Sequence, residues 1–244
     1  MHRPLKVLSV ALILILATAA TAAQWSTTSV SGLYGTDHKL SAKSEQTIIT
    51  LEHASGWSYG DNFFFFDATQ PFDHGTDVYG EWHPRLSAGK IFEKDLSFGF
   101  VKDVLLASEI NFGNDVRIYF YGVGFDLDLP KFAFFSVNFF IRDDANIAGE
   151  STYQISPAWN LPFSIGNANL EFGGFVDIAG EEGSAKANIL AQPQLLLDLG
   201  HFWGHDRSVY AGVEWQYWNK KYGVDVSGVD SEENFAQLMV KWVF

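Results

Sequence analysis

The stretch Ser58–Gln70, SYGDNFFFFDATQ, sets four phenylalanines in a row inside a chain whose formal net charge is -13. In a soluble, half-buried strand, side chains alternate between core and water, so two of these rings should be polar. A buried helix could hold all four, but Gly60, Asp61 and Asp67 close in on both sides and leave no room for one. A membrane-spanning β-barrel accommodates the run: one face of the strand meets lipid and the other meets the lumen. Phe64 and Phe66 are then assigned to lipid, and Phe63 and Phe65 to the lumen between Asp61 and Asp67. The opposite parity would push both aspartates towards lipid, tolerable only near the interfaces.

The same period of two recurs along the chain. In NLEFGGFVDIAG, Leu170, Phe172, Gly174, Val176 and Ile178 oppose Asn169, Glu171, Phe175 and Asp177. AFFSVNFFIR sets Phe135, Val137, Phe139 and Ile141 against Ser136, Asn138, Phe140 and Arg142. VYAGVEWQYW and the last ten residues do likewise, the latter placing Leu238, Val240, Trp242 and Phe244 opposite Gln237 and Lys241. The expectation is an all-β, antiparallel transmembrane barrel of about 12 strands. Expected spans are 46–54, 61–68, 76–88, 94–101, 104–112, 116–128, 132–142, 151–159, 168–178, 188–199, 206–219 and 233–244. Short connections (Lys102, Pro130, Gly200) alternate with others that are mostly longer, several of them acidic, as on the two rims of an outer-membrane barrel. Two longish connections, ATQPFDHGT and NLPFSIGN, fall on the rim that should be short.

Ahead of the barrel, residues 1–23 carry a basic start (Arg3, Lys6), an apolar run from Val7 to Leu16 and then small residues, the pattern of a cleaved signal peptide. The run is too short for a spanning helix, which needs roughly 20 residues. Residues 24–45 are expected as an N-terminal segment and 46–244 as the barrel. With no cysteine, disulfides and thiolate chemistry are excluded. Sixteen basic against 29 acidic residues argue against nucleic-acid binding. Together these features place the chain in a bacterial outer membrane, with lipid and lipopolysaccharide around it and no cofactor.

Lumen parity yields a candidate solute path: Phe63, Phe65, Asp61, Asp67, Glu52, Tyr79, Glu81, His83, Arg85, Asp126, Phe140, Arg142, Glu171, Phe175, Asp177, Glu214 and Trp218. Rings offer planar solutes a stacking surface, and neighbouring polar groups fix orientation. The plainer alternative is mutual pairing of these charges as scaffolding. A lipid-modifying enzyme would use His53 and Ser55, but residues two apart on a strand lie about 7 Å from each other, too far for a direct Ser–His bond. His201 and His205 fit an aromatic rim better than a metal site. The acidic pairs Asp143/Asp144, Glu181/Glu182 and Glu232/Glu233 are expected as solvated loop tips, where divalent cations could bridge to lipopolysaccharide.

Five segments, ITLEHASGWSYGDNFFFFD, YGEWHPRLSAG, DLSFGFVKDVLLA, GVGFDLDLP and VYAGVEWQYWNKKYG, resemble the nucleoside-specific channel-forming porins of Gram-negative bacteria. The resemblance covers roughly Tyr34 to Phe244 and extends to the family's phage-receptor branch, to which the chain sits nearer. It implies a monomeric twelve-stranded barrel with a narrow aromatic-lined channel for nucleosides, with Phe63, Phe65, Glu81 and Arg85 as matching positions. The chain lacks the long Trp- and Asn-rich stretches of the family's nucleoside transporters, so nucleoside specificity is implied by resemblance alone. The alternative it carries is a closed receptor barrel whose outer loops bind phage.

Overall fold

The computed structural model of the protein describes residues 23–72 and 75–244. The expected leader therefore lies outside the described residues, apart from Ala23. The strands are β1 (Trp25–Gly35), β2 (Gln46–Trp57), β3 (Gly60–Thr69), β4 (Asp77–Ser87), β5 (Val101–Gly113), β6 (Arg117–Leu127), β7 (Phe134–Asp144), β8 (Thr152–Ile165), β9 (Ala168–Ala179), β10 (Asn188–Ala191), β11 (Gln194–Asp198), β12 (Val209–Asn219) and β13 (Glu233–Val243). Each pairs antiparallel with its neighbours, and β13 returns to β1, so the sheet closes. Closure leaves no edge with unpaired backbone groups, the condition for a sheet to cross a bilayer.

β10 and β11 are two halves of one stave. Both pair with β9 and β12 in a single register, Asn188 opposite Ala179 and Gln194 opposite Gly173. Pro193 interrupts them because it has no N–H to give the ladder. Gly174 lies against the break with φ +136, and a Cβ there would fall 2.4 Å from the Gln192 carbonyl oxygen. The barrel thus has 12 staves.

Lipid-facing parity runs through Leu51, Phe66, Leu106, Tyr121, Phe139, Tyr153, Trp215 and Leu238, all exposed. On a soluble protein such a surface would be an association hazard; here it is the hydrocarbon belt. Phe64 lies on this outer face, stacked on His53 at 5.1 Å, and Phe66 packs edge-on to Phe112 at 5.5 Å.

Two expected elements are corrected. The segment 24–45, expected to lie outside the barrel, contributes a stave: WSTTSVSGLYG forms β1, paired along its length with β2. Its lipid face (Thr28, Val30, Gly32, Tyr34) is weakly apolar, which hides its strand character. The segment 94–101 is not a strand. Ser87 caps a five-residue helix, α1 (Ala88–Phe92), by accepting a hydrogen bond from the Lys90 N–H at 3.0 Å. Gly99 (φ +56) then turns the chain so that Phe98 and Val101 bond reciprocally at 3.0 and 2.8 Å.

Adding β1 reverses the expected direction of β2–β4 and removes both anomalies. ATQPFDHGT now lies on the outer rim with the long loops. NLPFSIGN belongs mostly to β8, whose true turn is Gly166–Asn167. The rim bearing the chain ends is periplasmic, and the other rim carries the loops 36–45, 70–76, 114–116, 145–151, 180–187 and 220–232.

Candidate functional site in the barrel lumen

The Phe63–Phe65 row faces the lumen side of β4. Register sets Phe63 opposite His83 and Phe65 opposite Glu81. Phe63 lies 6.1 Å from Phe65 and 5.6 Å from the His83 ring, and Phe65 lies 5.9 Å from Tyr79. His83 is held between two carboxylates, Glu81 at 2.8 Å from Nε2 and Glu109 at 3.2 Å from Nδ1. The Tyr79 hydroxyl donates to the other oxygen of Glu81. Asp177 of β9 shares the lumen with them. Asp177 itself accepts from the Ser156 hydroxyl at 2.6 Å, and Phe175 shares its lumen parity on β9.

Below this row, towards the periplasm, Arg85 forks onto Asp61 with two bonds of 2.8 Å and reaches Asp126 at 2.9 Å. One guanidinium therefore ties β3, β4 and β6 across the lumen. Around the wall, Glu52 pairs with Lys241 at 2.5 Å and accepts from Ser29 at 2.9 Å. Asp67 accepts from Thr50 at 2.6 Å. Glu214 accepts from Gln194 at 2.7 Å and from Gln237 at 3.1 Å. Glu171 accepts from Tyr210 at 2.9 Å and from Asn160 at 3.2 Å, beside a cavity of about 210 Å³ that opens between Asp198, Arg207 and Tyr210.

Three members of the candidate path stand apart from it. Phe140 is buried against Phe120 at 5.6 Å and Ala107, so it packs rather than lines. Arg142 lies near the outer mouth, bonded to Glu182 and, at 3.3 Å, to Asp144. Trp218 likewise sits at the outer end, edge-on to Tyr222 at 4.7 Å.

The loop acids correct a further expectation. Glu182 is 3% exposed and Glu233 is fully buried, so neither is a solvated tip. Glu182 folds inwards to Arg142 and to the Asp144 N–H at 2.7 Å. Glu233 gathers Lys221 at 2.6 Å, the Lys39 N–H at 2.7 Å and Gln216 at 2.8 Å. Glu109 and Asn111 were also absent from the expected path, although a glutamate at the centre of a spanning strand must face the lumen. A lumen-side apolar cluster of Leu33, Leu196, Tyr210 and Met239 had no sequence signal, because barrel closure brings β1 against the last staves β11–β13. His53 bonds Thr28 at 2.8 Å, and Ser55 accepts from Asn62 at 2.7 Å, so each has a partner other than the one a Ser–His reaction needs. His201 bonds Asp206 at 3.0 Å on the periplasmic rim.

The family described as "Nucleoside-specific channel-forming protein, Tsx" matches residues 21–241. The chain belongs to this family. "Outer membrane protein OmpK" of Vibrio parahaemolyticus is 27% identical over 161 residues, an alignment that covers 63% of this chain and 59% of the relative. Among solved structures, "KdgM porin" superposes with a TM-score of 0.53 at 8% identity, covering 88% of this chain and 99% of that one. The "NanC porin" superposes with a TM-score of 0.53 at 13% identity, covering 88% and 98%. These likenesses show the fold. Family and fold together place this Tsx-family protein in the Gram-negative outer membrane as a channel-type porin.

Proposed function

We propose that the protein is a passive, monomeric outer-membrane channel for nucleosides or similar small planar solutes, working without a cofactor and without covalent chemistry. The observation that carries this reading is the Phe63–Phe65 row of β3 set beside Glu81 and His83 of the neighbouring β4 on the lumen wall. A base can stack on the rings while the carboxylate and imidazole take up its hydroxyls and ring nitrogens. Membership of a nucleoside-specific family supports the same solute class. Several weak stations in series let a solute enter without being trapped.

A second reading is favoured by a different observation. The ion pairs Arg142–Glu182 and Lys221–Glu233 sit in the outer mouth, and the loops 145–151, 180–187 and 220–232 touch one another there, Gly149 against Gly183 and the Lys186 N–H on the Gly223 carbonyl at 2.9 Å. Such a mouth suits a receptor barrel whose loops are held for recognition by phage at a lipopolysaccharide-covered surface. Single-channel conductance of the refolded mature protein, with adenosine or thymidine titrated in, separates the two. Steps blocked by nucleoside at lower concentration than by a sugar support the channel. No steps from a folded barrel leave the receptor.

A further inference from the structure

Two carboxylates bracketing one imidazole form, within the same stretch of lumen, a donor set suited to a metal ion. Glu81 and His83 project from β4, and Glu109 and Asn111 from β5, all to the lumen. Ligating atoms of Glu81, His83 and Glu109 all lie within 4.8 Å of one another. Asn111 adds an independent sign. It stands directly opposite Glu81 in the β4–β5 register, is only 6% exposed, and its side-chain oxygen is buried with no hydrogen-bond partner. A buried acceptor without a donor calls for an unseen partner, and a cation is the partner that needs only oxygen lone pairs.

We propose that Glu81, His83, Glu109 and Asn111 form a binding site for a divalent metal ion of the zinc class. An imidazole donor favours zinc-like ions over magnesium or calcium, and two carboxylates neutralise a double charge. The ion takes the place of the hydrogen bond between Glu81 and His83 and spreads the ligands to metal distances. The surroundings already orient the set. Tyr79 holds one oxygen of Glu81 and leaves Oε2 towards His83, while Phe63 packs against the imidazole ring and limits its rotation. A bound ion would put positive charge beside the Phe63–Phe65 row. The site does not depend on the lumen conducting, so a failure of the nucleoside reading would leave it standing.

The test is calorimetric titration of zinc chloride alone into the metal-free, detergent-folded full chain, with folding verified by heat-shifted mobility. The expected result is saturable uptake of one equivalent, weakened about tenfold or more in Glu109→Gln and His83→Gln and unchanged in His201→Gln on the rim. No uptake by the folded wild type, or equal uptake in the two site variants, overturns the proposal. Should those variants not fold, X-ray absorption on the zinc-loaded wild type decides. A shell of oxygens with one imidazole supports the site, and a shell without imidazole overturns it.

Discussion

Lys221 and Glu233 meet at 2.6 Å inside the outer mouth, with the carboxylate fully buried and the ammonium 6% exposed. The ammonium also lies 5.2 Å from the Trp218 ring centroid and 5.3 Å from that of Tyr222. Through Lys39 and Gln216, the same carboxylate ties the loops 36–45 and 220–232 to the wall. Glu233→Gln keeps the shape and strands a buried charge, a loss of about 3–5 kcal/mol when a buried pair is broken. The outer loops should bear that loss before the staves do. External protease is expected to cut 36–45 and 220–232 several-fold faster in the variant, with the barrel itself still folded. Lys221→Met in the same chain should restore most of the protection, since it removes the stranded charge.

Phe63 and Phe65 present their rings on the lumen wall beside His83, Glu81 and Tyr79. Stacking a base on an aromatic side chain contributes roughly 1–3 kcal/mol. Phe63→Ala and Phe65→Ala are therefore each expected to raise the nucleoside concentration needed for half-block of conductance by about fivefold to a hundredfold, with open-channel steps equal or larger. Titration of block in planar bilayers reads this directly. Unchanged block in both variants would place the solute elsewhere.

The lumen parity of this row was legible in the sequence because alternation is local: once Asp61 and Asp67 are kept from lipid, Phe63 and Phe65 follow. The same logic placed Arg85, Asp126, Glu171 and Asp177 inwards. What stayed hidden depended on pairing between distant segments. β1 carries serine and threonine where a strand would advertise valine, and only its ladders with β2 and β13 make it a stave. Glu182 and Glu233 looked like loop tips because the cations that draw them inwards, Arg142 and Lys221, lie on other segments of the chain. The expected strands 94–101 and 188–199 ran straight through Gly99 and Pro193, because whether such a residue interrupts a stave or ends one is settled by the neighbouring strand.

Arg85 holds Asp61 with two bonds and Asp126 with a third, all within the lumen. Removing the guanidinium leaves two carboxylates facing each other without a counter-charge. Arg85→Met should cost about 3–5 kcal/mol in urea unfolding followed by tryptophan fluorescence. Adding Asp61→Asn to that variant is expected to return part of the loss. A single variant as stable as wild type would show the triad to be solvated rather than structural.

Among the described residues, the carboxylates Glu81, Glu109 and Asp177 share one stretch of lumen with no arginine or lysine bonded to them, whereas Arg85 and Lys241 are each engaged by carboxylates of their own. A passage lined this way should prefer cations and neutral solutes. At an effective dielectric of about 20, a phosphate roughly 10 Å from one such carboxylate loses on the order of 1.5 kcal/mol, close to tenfold in affinity. Adenosine monophosphate is therefore expected to block about tenfold less well than adenosine. Reversal potentials in a salt gradient should show cation selectivity that falls when Glu81→Gln is introduced. An anion-selective pore would contradict this arrangement.

His38 lies in the outer loop 36–45, buried edge-on against Phe235 at 4.8 Å. Burial pushes its imidazole below the ordinary 6.5, while Glu233 pulls the other way and only partly offsets it. A base with a depressed pKa takes up a proton more readily in the open loop than in the closed one. Closure is then fully stable above about pH 6.5 and weakens as pH falls below it, by up to tenfold in the opening equilibrium for each pH unit until the closed loop also protonates. Hydrogen exchange over 36–45 should accelerate between pH 7.5 and 5.5 after correction for the intrinsic rate, and His38→Gln should flatten that dependence. Equal corrected exchange at both pH values in the wild type would mean that His38 carries its proton as easily closed as open, and that Glu233 rather than burial sets its charge.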